Sequence, residues 1–200
     1  MTRAFFLSPA NCRGRRAQQV LSPRASFDVA ARLRSSAGVP IGDLFAHMSG
    51  LYFRGKLTYA RRFGAAFVIT PDRGLIPADS PITADVLAQF ADAEIRLDNP
   101  GYRDPLERSA RALRESAGDA VEYVLLGSVA SEKYVQILAA IFGQRLLFPP
   151  SFVGRGDMSR GGLLLRAAAA GAELEYISVI GAARHGARPP KLPPLRAVSP

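Results

Sequence analysis

The sequence predicts a single α/β domain whose central sheet is mostly parallel, has about four to five strands and carries helices on both faces. Apolar runs of strand length alternate with longer segments in which apolar residues recur at helical spacing. The chain has 200 residues, of which 48% are hydrophobic, so one domain with a substantial core is expected. A basic, Pro-rich stretch near the C-terminus predicts a flexible tail over residues 184–200, beside a domain of residues 1–183.

In the first half, the apolar run 4–7 is ended by Ser8-Pro9, which is typical of a buried strand. Ser26 is suited to cap a helix. Gly55 falls inside another predicted helix, where it costs about 1 kcal/mol relative to alanine. The predicted elements are a strand at 4–7, a loop at 10–19, helices at 26–38, 41–45 and 51–64, a strand at 65–70 and a turn at 71–79.

In the second half, Thr83 and Asp157 are suited to cap helices, and Asp104-Pro105 is a favourable helix start. Gly143 is a favourable helix end. The alternating stretch 173–179 is typical of an edge strand. The predicted elements are helices at 83–93, 104–118, 131–142 and 157–171, and strands at 121–126, 145–148 and 173–179.

The composition excludes several classes of site. Cys12 is the single cysteine, so the chain forms no intramolecular disulfide, and His47 and His185 are too far apart in sequence to suggest a metal cluster. No apolar run approaches the roughly 18–20 residues of a membrane span. We therefore expect a cytoplasmic protein with no membrane association, no metal and no cofactor.

The net charge of +9 and the pI near 10.4 favour a polyanionic partner, although an arginine-rich proteome would give the same balance. The distribution favours the first reading. Residues 1–34 carry +6, residues 35–62 carry +3 and residues 184–200 carry +4, whereas residues 72–122 carry −5. Positive charge gathered in two regions is typical of a binding surface.

A glycine-rich corner precedes the helix predicted from Asp157. Glycines before a helix start let backbone N–H groups approach an anion, and the helix N-terminus adds about half a positive charge. We expect phosphate to contact Gly154, Arg155, Gly156, Asp157 and Arg160. The small residue Gly161, five positions after Gly156, is compatible with a helix-hairpin-helix-like element in which two helices approach closely. The alternative is a tight turn with an Asp cap.

Two further basic segments are candidates for the same surface. In the loop after the first strand, Asn11, Arg13 and Arg15 are suited to phosphate contact, and Cys12 among basic neighbours is a weak candidate nucleophile. A solvated basic loop is the alternative. We expect this loop, residues 70–79 and residues 152–160 to border one cleft.

The second segment interleaves aromatic and basic side chains. Tyr52 or Phe53 would stack on a base, while Arg54 and Lys56 would contact phosphate. The alternative is that the aromatic residues belong to the core.

Four segments together resemble the YaaA family of peroxide-stress proteins: FLSPANCR, FVITPDRGLIPAD, GSVASEKY and PPSFVGRGDMSRGG. They occur in the family's order. Ser128 stands where the family has Asn, and Lys133 where it has Glu. The resemblance implies a uracil-DNA-glycosylase-like core, a helix-hairpin-helix-like element, DNA binding and a link to oxidative stress. Arg73, Ser128 and Lys133, which lie within these segments, are also expected binding residues. The same core resembles domains attached to transglycosylases that handle deazaguanine bases.

The leading hypothesis is therefore a nucleic-acid-binding protein, with DNA the expected partner. A second hypothesis is an enzyme that acts on a nucleobase or nucleoside, such as a glycosylase or base transferase, with Asp157 or Asp72 as the acid–base group. A third is a non-catalytic domain whose basic tail holds an acidic protein.

Overall fold

The computed structural model describes residues 2–118, 120–127, 129 and 131–193. Eight α-helices and eight strands lie along them. The strands are β1 (Thr2–Leu7), β2 (Val39–Pro40), β3 (Ala65–Ile69), β4 (Leu75–Pro77), β5 (Pro81–Ile82), β6 (Val121–Leu126), β7 (Leu146–Phe148) and β8 (Ile177–Ser178). The helices are α1 (Arg15–Leu21), α2 (Asp28–Arg34), α3 (Ile41–Ser49), α4 (Leu51–Phe63), α5 (Ala84–Asp92), α6 (Pro100–Ala117), α7 (Glu132–Phe142) and α8 (Asp157–Ala170).

Six strands form one sheet in the order β4-β3-β1-β6-β7-β8. The four inner strands are parallel to one another, and the two edge strands β4 and β8 are antiparallel to their neighbours. β2 and β5 make a separate antiparallel pair. The predicted α/β domain with a mostly parallel sheet is thus confirmed, with one strand more than expected.

The sheet separates two apolar cores because alternate residues of a strand point to opposite faces. Phe5 and Leu7 of β1 enter the first core with residues of α1–α5 and α8. Ala4 and Phe6 enter the second with residues of α6 and α7. Helices therefore cover both faces, as the sequence predicts.

The helices α4 and α8 cross at two glycines. A Cβ on Gly55 would lie 2.7 Å from the carbonyl oxygen of Gly161, and a Cβ on Gly161 would lie 2.9 Å from Cα of Tyr52. Side chains at these positions would push the backbones apart. Gly161 thus does allow two helices to approach, but its partner α4 is distant in sequence. A helix-hairpin-helix motif pairs two helices that follow one another in sequence. Here the element before α8 is a 3₁₀ turn at Pro150–Phe152, and the helix packed on α8 is α4.

Several boundaries differ from prediction. The segment 10–19, interpreted as a loop, overlaps α1, whose fully buried residues are only Ala17 and Val20. The helix predicted from Asp104 begins at Pro100, because Asn99 caps it by accepting a hydrogen bond from the Gly101 amide (3.0 Å). The predicted turn 71–79 contains β4, and the edge strand predicted over 173–179 is limited to β8. Within the described part of the chain, no helix has both the length and the apolarity needed to cross a membrane.

Candidate functional site

Two clefts lie beyond the carboxyl ends of the parallel strands, where ligands of such sheets usually bind. The first, the carboxyl-edge cleft, has a volume of about 510 Å³. The second, the arginine cleft, has a volume of about 490 Å³ and opens beside the start of α8. The carboxyl-edge cleft is lined by residues 9–13, Pro71, Phe90, residues 93–96 and residues 133–134. The arginine cleft is lined by residues 154–156, Arg160, residues 184–186 and Arg188.

The start of α8 forms one wall of the arginine cleft. Gly154 has a φ of +70°, which a residue with a side chain rarely adopts, and this turns the chain into the helix. Gly156 is the N-cap residue, and its carbonyl accepts hydrogen bonds from the amides of Ser159 and Arg160, both at 3.0 Å. Because the first amides of a helix have no intrahelical partner, this end presents free N–H groups and a partial positive charge.

Arg160 is a largely buried cation of this cleft, with only 9% of the residue exposed. Its Nε donates to the carbonyl oxygen of Phe152 (3.1 Å), and its Nη1 lies 3.7 Å from Oδ1 of Asp157. The guanidinium also lies over the Phe152 ring, 5.7 Å from its centroid. The Asp157 side chain is 70% exposed, so one buried positive charge is incompletely neutralised at the helix start.

Lys56 on α4 lies behind this wall and is 2% exposed. Its Nζ donates to the carbonyl oxygen (2.6 Å) and to Oγ (3.0 Å) of Ser8, the first residue after β1. The ammonium also lies 4.6 Å from the ring centroids of Tyr52 and Phe53. Burial lowers the pKa of Lys56 from 10.5 to about 7; the charge of Asp157 opposes this shift and the charge of Arg160 adds to it.

Tyr52 connects Lys56 to Arg160. Its hydroxyl is buried and makes no hydrogen bond of good geometry among the residues that the structure describes, but it lies beside the Arg160 guanidinium. Burial raises the pKa of this hydroxyl, and the charge of Arg160 and a weak hydrogen bond from it oppose that shift. A buried tyrosine hydroxyl usually finds a partner, and here Arg160 is the polar group beside it.

A C-terminal strap, defined here as residues 184–193, lies against the start of α8. Nη1 of Arg155 donates to the carbonyl oxygen of Pro190 (3.1 Å), and Arg166 donates to that of Pro193. At the other end of the strap, Arg184 pairs with Glu132 (2.7 Å). The strap contains no helix or strand, and its side chains complete the arginine cleft.

The predicted binding residues divide between the two clefts. Asn11, Arg13 and Lys133 line the carboxyl-edge cleft, whereas Gly154, Arg155, Gly156 and Arg160 line the arginine cleft. The expectation of one cleft shared by residues 8–16, 70–79 and 152–160 is therefore wrong. Arg13 is already engaged, since its guanidinium donates to the carbonyl oxygens of Ala91 and Asp92.

The geometry corrects the roles predicted for the aromatic–basic segment. Tyr52 is 8% exposed and Phe53 is fully buried, so neither ring offers a face for base stacking. Lys56 is directed into the protein toward Ser8 rather than toward a phosphate. The alternative, that the aromatic residues belong to the core, is the one observed.

The geometry also corrects two candidates for catalysis and capping. The Cys12 thiol is buried and donates to the Ala10 carbonyl oxygen (3.6 Å). Burial, with the negative charge of Asp72, raises its pKa from 9.0 to about 12, so it is not an activated nucleophile. Asp157 is the first residue of α8 rather than its cap, and no side chain makes a capping hydrogen bond there.

Other predicted residues lie apart from both clefts or outside the described chain. Arg15 and Arg54 are exposed on α1 and α4. Arg73 lies 3.6 Å from Asp72 and donates to Gln89. Ser128 lies outside the described residues.

Sequence reasoning missed the contributions of Arg184 and Arg188, because a Pro-rich aperiodic segment was interpreted as a separate tail. Their only signal was the charge of +4 over residues 184–200.

The described residues contain no group of three or more His, Cys, Asp or Glu side chains arranged to hold a metal ion. Comparison with known proteins finds no matching family model, no matching curated protein and no matching solved structure.

Proposed function

We propose that this chain binds nucleic acid, and DNA in particular, through the arginine cleft. The observation that carries this proposal is the lining of that cleft, where four arginines meet the free N–H groups at the start of α8. Guanidinium groups and helix N-termini are the two protein features best suited to phosphate oxygens. None of the lining residues is acidic.

The charge distribution and the resemblance to the YaaA family support the same class of partner. Residues 184–200 and the first 62 residues are basic, whereas residues 72–122 carry a net charge of −5. The resemblance further suggests a uracil-DNA-glycosylase-like core and a role in DNA protection during oxidative stress, and both belong to the proposal.

Titration of a fluorescent DNA oligonucleotide at several salt concentrations tests the proposal. Binding should weaken linearly on a log–log plot, with a slope of about 0.9 for each phosphate contacted. Replacing Arg160 by Ala should weaken binding about tenfold or more, whereas Arg108→Ala on the exposed face of α6 should leave it unchanged. Because Arg160 is buried, a thermal melt must accompany this variant. Binding that is absent or independent of salt would exclude the proposal.

The Asp157→Asn variant provides a second test that does not depend on removing a buried side chain. It removes the only carboxylate that pairs with Arg160 in the described structure. If the cleft holds phosphate, this change should strengthen DNA binding several-fold by relieving repulsion. Weaker binding would indicate that Asp157 positions Arg160 for its ligand.

A second candidate function is catalysis on a nucleobase or nucleoside, and the observation that favours it is Lys56. A buried lysine with a pKa of about 7, close to the charges of Asp157 and Arg160, is typical of sites that transfer protons. Asp157 would serve as the acid–base group. Release of a base from modified DNA by the wild-type protein, lost in Asp157→Asn, would support this function, and no release from any modified substrate would argue against it.

A further inference from the structure

We propose that the C-terminal strap is a fixed wall of the arginine cleft, with Arg188 as a phosphate ligand and Arg155, Arg166 and Arg184 as the residues that anchor the strap. This inference rests on the proposed binding of nucleic acid. It changes the role predicted for Arg155 from contacting phosphate to holding another part of the site.

Close backbone packing fixes the first half of the strap. A Cβ on Gly154 would overlap with the carbonyl oxygen of Ala187, and a Cβ on Gly186 would lie 2.9 Å from Cγ1 of Val153. Each side of this crossing therefore carries a glycine where the other side approaches. Such contact requires a defined path for the strap past the start of α8.

Hydrogen bonds fix its two ends. Arg184 donates to the carbonyl oxygen of Val129 (3.3 Å) and to Oε1 of Glu132 (2.7 Å). Toward the C-terminal end, Arg155 and Arg166 donate to the carbonyl oxygens of Pro190 and Pro193. Arg155 is further held by the carbonyl oxygen of Ser151 (3.0 Å) and by Oγ of Ser159 (3.2 Å).

The strap's carbonyl oxygens and its Arg188 side chain play different parts. The carbonyl oxygens of Pro190 and Pro193 accept hydrogen bonds from Arg155 and Arg166, while the Arg188 side chain lines the cleft. Residues 184–193 contain no acidic side chain. Arg188 is exposed and has no ion-pair or hydrogen-bond partner in the described part of the chain. Unlike the three anchors, it is therefore available to a phosphodiester.

Binding measurements on four proteins test this division of roles. Arg188→Ala should weaken DNA binding about five- to tenfold at low salt and reduce the slope of log affinity against log salt by about 0.9. Deletion of residues 184–200 should reduce the DNA affinity and the salt slope further, and Arg108→Ala should match the wild type in both measurements. An unchanged slope in Arg188→Ala would remove Arg188 from the site. Tighter binding after the deletion would mean that the strap blocks the cleft, which would overturn the proposal.

Limited trypsin digestion without DNA tests the anchoring separately, so its result does not depend on the proposed function. Cleavage after Arg184 and Lys191 should be slow in the wild type and several-fold faster in Arg155→Ala, with Arg108→Ala as the control. Equal rates in wild type and Arg155→Ala would overturn the anchoring. If the wild type does not bind DNA but protects the strap, the nucleic-acid proposal fails while the strap's fixed position stands.

Discussion

Gly55 on α4 and Gly161 on α8 face each other so closely that a Cβ on Gly55 would lie 2.7 Å from the Gly161 carbonyl oxygen. This approach brings the buried residues of α4 next to the start of α8. Lys56 and Tyr52 thereby come within reach of the charges of Asp157 and Arg160. The geometry of the arginine cleft depends on this helix crossing.

Replacing Gly161 by Ala should lower the free energy of unfolding by about 1–3 kcal/mol, because its Cβ would lie 2.8 Å from the Leu51 carbonyl oxygen and force the helices apart. Gly162 is a matched control in the same helix, since the one described atom near its Cβ would be Cδ1 of Leu192, at 3.6 Å. Gly162→Ala should stabilise the protein by up to about 1 kcal/mol. Urea denaturation measures both, and equal effects would show that the crossing is not tightly packed.

The stability of the protein should rise with pH between about 7 and 9 because of Lys56. In the folded state the pKa of Lys56 is about 7, against 10.5 in the unfolded chain. Between these values the unfolded state binds one more proton than the folded state, so the free energy of unfolding increases by up to about 1.4 kcal/mol per pH unit. Below pH 7 Lys56 is protonated in both states and contributes no slope.

Urea denaturation of Lys56→Met at pH 6, 7, 8 and 9 checks this prediction. The variant should lose the rise, because methionine has a similar shape and does not titrate. Thr58→Ala on the exposed side of α4 is the control and should retain the rise. If the free energy of unfolding changes with pH in the same way in the wild type and in Lys56→Met, the pKa of Lys56 is not lowered.

Cys12 should resist alkylation in the native protein. Burial raises the pKa of its thiol to about 12, so the thiol stays protonated at neutral pH, whereas iodoacetamide reacts with the thiolate. At pH 8 the native protein should react at least tenfold more slowly than the urea-unfolded chain, as measured by mass spectrometry. The unfolded thiol ionises near pH 9, whereas the folded thiol does not, so the free energy of unfolding should fall above pH 9. The Cys12→Ala variant should lose less stability in this range. Fast native labelling would restore Cys12 as a candidate nucleophile.

The core of the fold was predictable because β1, β6 and α7 bury continuous or regularly spaced apolar residues. Prediction failed where the pattern is local or weak, as in α1 and β4. The site was harder to predict, because sequence reveals charge but not burial. Lys56 carries the charge expected of a phosphate ligand, yet α4 directs it into the protein. Arg188 has no periodic pattern around it, and only the packing of the strap brings it beside Arg160.

Replacing Tyr52 by Phe separates a structural role of its hydroxyl from a binding role. The buried hydroxyl makes no hydrogen bond of good geometry among the described residues and has only a weak interaction with Arg160, so its removal should change the free energy of unfolding by no more than about 1 kcal/mol. If the hydroxyl and Arg160 serve the same ligand, DNA binding should nevertheless weaken several-fold. Thermal melts and oligonucleotide titrations on the same protein distinguish the cases, because a more stable variant that binds less tightly cannot be explained by misfolding. A variant that is destabilised and binds normally would place Tyr52 in the core alone.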